Sequence, residues 1–406
     1  MNNLFQKLMT EATKLTHSGQ LQAATDAIQR ALRGATEAAQ TAASQATSAF
    51  ESSTRAKPEP NATARTTPPD NTSVVLDGCT RMVDTPAGAP AEADMAYVAP
   101  DVDTEALPEQ WTDGSFTHQG RTLDYKLYVP PSAAGLAITP RPLVLMLHGC
   151  TQDPADFAAG TQMNTLARAL GVVVLYPAQT QHANAQRCWN WFKPQHQQRD
   201  RGEPALLVAL TESVMAENHV DPARVYVAGL SAGGAMADIL GRCYPDVFAG
   251  VGVHSGLPSG AATDVMAALS VMRSGAGATP HAAASSTSST TTASMPPLIV
   301  FHGDADSTVN PRNGDAVVDA AVGANPSTPR IAEGSSTAGQ RFTRTVYAAA
   351  PGRNTVEHWR LHGGGHAWSG GSSRGSFTQP NGADASAEML RFFLAHPLRR
   401  EPVAVQ

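Results

Sequence analysis

Arg224-Val225-Tyr226-Val227-Ala228-Gly229-Leu230-Ser231-Ala232-Gly233-Gly234-Ala235-Met236 is the stretch whose reading decides the fold. Arg224 to Ala228 reads as a strand, and Ala232 to Tyr244 as a helix that stops before Pro245. Between them Gly229-Leu230-Ser231-Ala232-Gly233 matches G-x-S-x-G. A strand, a sharp turn and a helix are the setting in which such a serine projects its hydroxyl. The turn forces an unfavourable backbone conformation on the serine, so small neighbours are needed, and Gly229, Gly233 and Gly234 supply them. The bland reading of the same pentapeptide is a small-residue turn in which Ser231 caps the helix; the flanking elements favour the nucleophile.

Outward from this turn, short apolar runs alternate with helical stretches. The runs are Leu143–Leu147, Val172–Tyr176, Val225–Ala228, Gly250–His254, Leu298–His302 and Val356–Leu361. Continuous apolar strands separated by helices predict an α/β fold with a mostly parallel, doubly wound sheet covered on both faces. Ahead of it, Phe116 to Val129 reads as a hairpin turning at His118-Gln119-Gly120. Sheets of this kind place ligands at the carboxyl ends of their strands. Combined with the elbow, this predicts the α/β-hydrolase fold, whose chemistry needs a serine, an acid and a histidine in that chain order.

After Leu298–His302 comes Gly303-Asp304-Ala305-Asp306-Ser307-Thr308-Val309. Asp306 is the candidate acid, from the pattern H-G-x-x-D-x-x-V; Asp304 is the second choice, and either aspartate can instead serve only to stabilise the turn. After Val356–Leu361 comes His362-Gly363-Gly364-Gly365-His366-Ala367-Trp368. His366, on the glycine-rich loop, is the candidate base, because His362 still belongs to the strand end. Leu147-His148-Gly149-Cys150 follows the first strong parallel strand, where the second oxyanion donor of such a site belongs. The backbone N–H groups of Cys150 and Ala232 are the candidate donors. Cys188-Trp189-Asn190-Trp191-Phe192 gathers three aromatics into five residues of a chain only 6% aromatic. Trp189, Trp191 and Trp368 are candidate substrate-binding residues; the alternative is that such rings cap the edge of the core.

The 406 residues suffice for one large α/β domain with extra segments. The formal net charge of −6 leaves no basic excess to displace counterions from phosphates, so nucleic-acid binding is not expected. No metal-ligand spacing is present, and neither metal nor cofactor is expected. Residues 1–34 read as a helical hairpin with an apolar stripe (Leu4, Phe5, Leu8, Ala12, Leu15, then Leu21, Ala24, Ile28, Leu32), suited to packing, self-association or contact with a granule surface. Residues 35–110 read as a largely irregular linker and 111–398 as the catalytic domain, with a low-complexity insertion at 273–297. No apolar run reaches membrane-spanning length. The first residues lack a basic segment followed by an apolar core, so a cytoplasmic location is expected, with an extracellular one as the alternative. Cys79, Cys150, Cys188 and Cys243 allow three full pairings. Free buried thiols are the ordinary reading, and a Cys150–Cys188 bridge between neighbouring loops stays open.

Several stretches together resemble the esterase family of the polyhydroxybutyrate (PHB) depolymerases, which includes feruloyl and acetylxylan esterases. They are Leu147-His148-Gly149-Cys150-Thr151-Gln152, Cys188 to Phe192, Gly229 to Met236, Tyr244-Pro245-Asp246-Val247-Phe248-Ala249-Gly250 and Gly363 to Trp368, within roughly residues 111 to 395. The resemblance implies an α/β-hydrolase domain without a metal, cleavage of hydroxyalkanoate or phenolic esters, and an oxyanion hole at Cys150 and Ala232. The expected function is that of a serine esterase acting on poly- or oligo-hydroxyalkanoates. The rivals are a feruloyl or acetylxylan esterase, a serine peptidase on the same fold, and a non-catalytic hydrolase-like binding protein.

Overall fold

The computed structural model describes residues 108–132, 139–276, 295–323, 327–348 and 355–398. The helical hairpin expected at 1–34 lies outside the described residues, as does nearly all of the linker expected at 35–110. Of the stretch 273–297, Arg273 and Ser274 close a helix, and Met295 to Pro297 lead into a strand; residues 277–294 lie outside the described residues.

A ten-stranded sheet organises the described residues. In chain order its strands are β1 (Gln110–His118), β2 (Arg121–Val129), β3 (Arg141–Leu147), β4 (Val173–Pro177), β5 (Val220–Leu230), β6 (Gly250–His254), β7 (Leu298–Gly303), β8 (Arg330–Ser335), β9 (Arg341–Tyr347) and β10 (Val356–Leu361). Their spatial order is β1-β2-β4-β3-β5-β6-β7-β10-β9-β8. The centre, from β4 to β10, is parallel, and each edge is closed by two antiparallel strands. The hairpin of β1 and β2 turns at Gln119 and Gly120, both at positive φ, which suits the twist of the two strands.

The strands β3 to β7 are almost wholly buried because helices cover both faces. Helices α3 (Gly202–Glu217), α4 (Ala232–Cys243), α5 (Val265–Ser274) and α6 (Arg312–Val322) bury residues such as Leu207, Ile239, Ala268 and Val317 in one core layer with Leu143, Leu145 and Val227. Helices α1 (Pro154–Thr161), α2 (Met163–Leu170) and α7 (Ala385–Leu394) bury Phe157, Met163, Met389 and Phe393 in the other, with Val144, Met146 and Tyr226. The two-residue alternation of strand side chains thus sends neighbours to opposite layers. Each fully buried aliphatic side chain contributes roughly 1.5–3 kcal/mol on transfer from water.

This frame sets the site. The chain turns at the carboxyl ends of the parallel strands β3, β4, β5, β6, β7 and β10. All five candidate chemical residues (Cys150, Ser231, Ala232, Asp306 and His366) follow directly after four of those ends. Among the described residues no helix is long and apolar enough to cross a membrane.

Candidate active site

Ser231 sits between β5 and α4 with φ 59° and ψ −120°. That backbone region is unfavourable for a residue with a Cβ and persists only where the surroundings dictate it. The surroundings here are backbone. A Cβ on Gly229 would meet the Gly233 carbonyl carbon at 2.3 Å, and one on Gly233 would meet the Leu147 carbonyl oxygen at 2.1 Å. Only glycine therefore lets α4 start this close to β5 and to the loop after β3. Ser231 makes no side-chain cap to the helix, which removes the bland reading of its motif. Its amide donates to the His254 carbonyl (2.9 Å) and its carbonyl accepts from the Ala235 N–H (3.0 Å), pinning the turn on both sides.

The structure brings Ser231, His366 and Asp306 into one chain of hydrogen bonds. His366 Nδ1 lies 2.7 Å from Asp306 Oδ2, and His366 Nε2 lies 2.9 Å from Ser231 Oγ. The Asp306 side chain is wholly buried. Its Oδ1 accepts from the Thr308 and Val309 amides at 2.9 and 2.8 Å. His302 Nε2, which donates to the Val309 carbonyl at 2.9 Å, also lies 3.4 Å from Asp306 Oδ2. Burial opposes the charge on Asp306, but the bonds from His302, His366 and the Val309 amide outweigh it and hold the carboxyl well below its ordinary range. An ionised Asp306 accepts a hydrogen bond from His366 Nδ1–H, which keeps the proton on Nδ1, so Nε2 carries the lone pair that accepts the Ser231 hydroxyl.

Asp304, the second choice for the acid, serves another histidine. Its carboxylate accepts from His362 Nδ1 at 2.9 Å and from the Gly363 amide at 2.7 Å. His362 Nε2 in turn meets Thr343 Oγ1 at 2.8 Å. The two aspartates of one loop thus divide: Asp306 faces His366, and Asp304 ties down the root of the glycine-rich loop that carries it.

The loop after β3 lies against the elbow; a Cβ on Gly149 would be 3.6 Å from Ser231 Cβ. Among the described residues neither the Cys150 N–H nor the Ala232 N–H has a hydrogen-bond acceptor within the chain. Buried backbone donors are almost always paired. Ala232 is buried and Cys150 partly buried, and their N–H groups remain the candidate donors of an oxyanion receptor beside Ser231. Cys150 is bonded to Cys188, with their Cα atoms 4.3 Å apart, so its thiol takes no part as a nucleophile. Cys243 is free, and burial pushes its thiol up to about 11.

The tryptophans require a correction. Trp189 and Trp368 are 0% and 1% exposed and Trp191 is 5% exposed, so all three pack into the interior, with Trp189 behind the wall of a cavity of about 430 Å³ that Gln179 and Asn190 also line. Trp189 donates through Nε1 to the His148 carbonyl at 3.1 Å. Trp368 donates to Ser386 Oγ at 3.0 Å and stacks on His254. Trp191 packs edge-on against Phe192. The aromatic cluster is therefore an internal brace, and the pockets it fills are core.

Phe377 is the exposed aromatic residue beside the candidate base. It is 45% exposed and its ring stands edge-on to His366, with centroids 6.5 Å apart. Its φ is 51°, a strained value for an aromatic residue. Its carbonyl accepts from the Trp368 amide at 2.7 Å. It lies between Ser376, held by Asp156 and Gln152, and the short strand Thr378–Gln379, which pairs with Trp368–Ser369. A lone Phe in a polar loop carries no periodic signal, so only the fold reveals it.

Burial also sets a pH limit on the fold. It pushes His148 down to about 4, His254 to about 3 and His358 to about 4. An unfolded chain protonates these rings below ~6.5, while the folded chain resists until the lower values. Stability is therefore fully present above that range and is lost as pH falls, each ring adding a slope of up to ~1.4 kcal/mol per pH unit. Asp306, Glu203 and Glu357, whose folded values are lowered, add a further loss below pH ~4. The urea midpoint is expected to drop steadily from pH 7 to pH 4; a flat profile over that interval would contradict the buried neutral histidines.

Fold and site together define an α/β-hydrolase with a serine–histidine–aspartate constellation at the carboxyl edge of its sheet. The comparisons agree: the chain matches the model of the esterase PHB depolymerase family over residues 123–340, and it belongs to that family. It is 35% identical over 230 residues to poly(3-hydroxyalkanoate) depolymerase C of Paucimonas lemoignei, covering 55% of this chain and 54% of that one. It is 35% identical over 166 residues to poly(3-hydroxybutyrate) depolymerase of Ralstonia pickettii, covering 39% and 34%. The chain thus spans about half or less of the length of these relatives. Among solved structures, an acetyl xylan esterase from Aspergillus awamori superposes with a TM-score of 0.50 at 21% identity, covering 63% of this chain and 94% of that one; this likeness is one of fold.

Proposed function

We propose that the protein is a serine esterase that hydrolyses poly- or oligo-hydroxyalkanoates through an acyl-enzyme. The observation that carries the proposal is the unbroken hydrogen-bonded chain from Ser231 through His366 to the buried Asp306. His366 takes the Ser231 proton as Oγ attacks the ester carbonyl carbon. The carbonyl oxygen becomes an oxyanion received by the Cys150 and Ala232 N–H groups. The C–O bond breaks, and the alcohol leaves with the proton from His366. Water, deprotonated by the same imidazole, then attacks the acyl carbon, the bond from that carbon to Ser231 Oγ breaks to release the hydroxy acid, and Ser231 recovers its proton from His366. Each oxyanion donor lowers the barrier by ~2.7–4 kcal/mol.

The family and its hydroxyalkanoate-named relatives support the substrate class, and so does the apolar ring of Phe377 beside the base. The rival within the hydrolases is a feruloyl or acetylxylan ester. A panel of 3-hydroxybutyrate oligomers, methyl ferulate and acetylated xylan decides: highest kcat/KM on the oligomers supports the proposal, and highest on either of the others replaces it. Phe377→Ala is expected to raise KM for a hydroxybutyrate trimer about tenfold, the scale of ~1–3 kcal/mol for apolar pocket contacts, while p-nitrophenyl acetate hydrolysis stays near wild type. Equal effects on both esters would deny the ring a role in selection.

The Cys150–Cys188 bridge supports the extracellular alternative over the cytoplasmic one, because disulfides persist in oxidising compartments. Residues 2–33, with their apolar stripe, are proposed to bind a polymer granule or to self-associate. Quantitative thiol labelling of protein from its native source tests the compartment.

A further inference from the structure

The reading of Cys150 N–H as an oxyanion donor raises the question of what aims it. Gly149 O and Cys150 N–H belong to one peptide unit, and no cis peptide occurs among the described residues. The two groups of a trans peptide point in opposite directions. Whatever holds the Gly149 carbonyl therefore aims the Cys150 N–H.

His148 holds it. Its Nδ1 lies 2.7 Å from Gly149 O, and its Nε2 accepts the Gln179 amide at 3.1 Å. Since Nε2 accepts, Nδ1 carries the proton and donates to the carbonyl. The ring is 1% exposed, so water cannot substitute for either partner. The rest of the turn is fixed from outside. Trp189 Nε1 donates to the His148 carbonyl at 3.1 Å, and the Gly149 amide donates to Gln152 Oε1 at 2.9 Å.

The groups that hold His148 themselves converge on one buried carboxylate. Glu203, in the first turn of α3, is 5% exposed. It accepts from Gln179 Nε2 at 2.8 Å, from the Asn190 amide at 2.8 Å and from Asn190 Nδ2 at 2.5 Å. Gln179 and Asn190 bracket the loop that delivers both the Gln179 amide and the Trp189 indole to His148. A buried acid holding three donors, at the edge of a cavity of about 430 Å³ that Gln179 and Asn190 also line, is costly unless it organises something. The object organised here is the oxyanion turn.

We propose that His148 and Glu203 are positioning residues for catalysis: Glu203 anchors the loop 179–190, that loop orients His148, and His148 sets the peptide plane that turns the Cys150 N–H toward the transition-state oxyanion. The proposal rests on the reading of the protein as a serine esterase and specifies how its oxyanion hole is kept in register. A hole preorganised in this way acts on the transition state and leaves ground-state binding almost untouched.

The test uses the full chain and compares a p-nitrophenyl ester with its thionoester, in which sulfur replaces the carbonyl oxygen. The larger, weaker-accepting sulfur profits little from two aimed N–H donors, so the ester-to-thionoester rate ratio reports the alignment of the hole and is insensitive to a general loss of folded protein. His148→Leu and Glu203→Gln are expected to lower kcat on the ester by at least about tenfold with KM within about twofold, as weakening one oxyanion donor does, and to lower the ratio by a similar factor. His148→Asn, whose amide can donate from near the Nδ1 position, is expected to recover most of the ratio. Thermal melts establish that each variant is folded at the assay temperature; Glu203→Gln and His148→Asn, which keep polarity and approximate shape, carry the test if the leucine variant does not fold. A wild-type ratio in folded Glu203→Gln, or a ratio in His148→Asn no better than in a folded His148→Leu, overturns the proposal. Absence of ester hydrolysis by the wild-type chain would instead overturn the esterase reading on which it rests.

Discussion

Ser231→Ala is expected to lower the turnover of p-nitrophenyl butyrate by about 10⁴-fold or more, because removing the nucleophile of such a triad leaves only the contribution of the oxyanion hole and binding. The substitution deletes one oxygen and keeps the Cβ, so the turn at φ 59° stays no more strained than before. The melting temperature is therefore expected to stay within a few degrees of wild type, and the loss of rate is then a loss of chemistry. Stopped assays with the purified variant and far-UV circular dichroism check both halves. Turnover within about tenfold of wild type would assign the chemistry to some other group.

Asp306→Asn is the second large effect. The carboxylate now accepts the Nδ1 proton of His366 at 2.7 Å. An amide can present its NH2 there and favour the opposite tautomer, with the proton on Nε2 facing Ser231 Oγ. A base in that tautomer cannot take the hydroxyl proton, and kcat is expected to fall by about 10⁴. Asp304→Asn, two residues away, is the internal control. Its partner is His362, so its loss is expected to stay within about tenfold, through the looser root of the His366 loop. Equal losses in the two variants would mean that the loop as a whole, and not the Asp306–His366 bond, is what matters. Initial rates across substrate concentration for both variants settle the comparison.

The legibility of this fold followed burial. The inner parts of β3 to β7 are covered on both faces, so they are apolar runs and could be read directly, as with Leu143–Leu147, Val225–Ala228 and Leu298–His302. β8 and β9 form an edge of the sheet with one side open to water. Arg330, Glu333, Arg341 and Arg344 interrupt their alternation, and those strands were not anticipated. The elbow was readable because its glycines are demanded by backbone contacts that no other residue satisfies.

The site was legible where a motif stood at a strand end, and obscure where the geometry depends on buried partners. Ser231, Asp306 and His366 each follow a strand, and the three meet in space. The tryptophans were misread because composition reports bulk and not direction: Trp189 spends its indole N–H on the His148 carbonyl, deep in the protein. His148 and His302 stood inside the quoted motifs but with no role assigned to their rings, and Glu203 had no sequence signal at all, since a buried acid in the first turn of a helix looks like any exposed one. The cysteine spacing likewise left Cys150–Cys188 undecided, because 38 residues of intervening chain say nothing about two loops packed side by side.

The central claim is that a single hydroxyl, primed by the imidazole of His366, carries the acyl group between substrate and water. The most direct measurement is mass spectrometry of the intact and digested protein after reaction with a fluorophosphonate, which traps a serine nucleophile only when its base and oxyanion donors are in place. The account predicts one adduct per chain, on the peptide containing Ser231, absent from Ser231→Ala and formed at least about a hundredfold more slowly in His366→Ala. An adduct on a different residue, or equal labelling of the wild type and the His366→Ala variant, would contradict it.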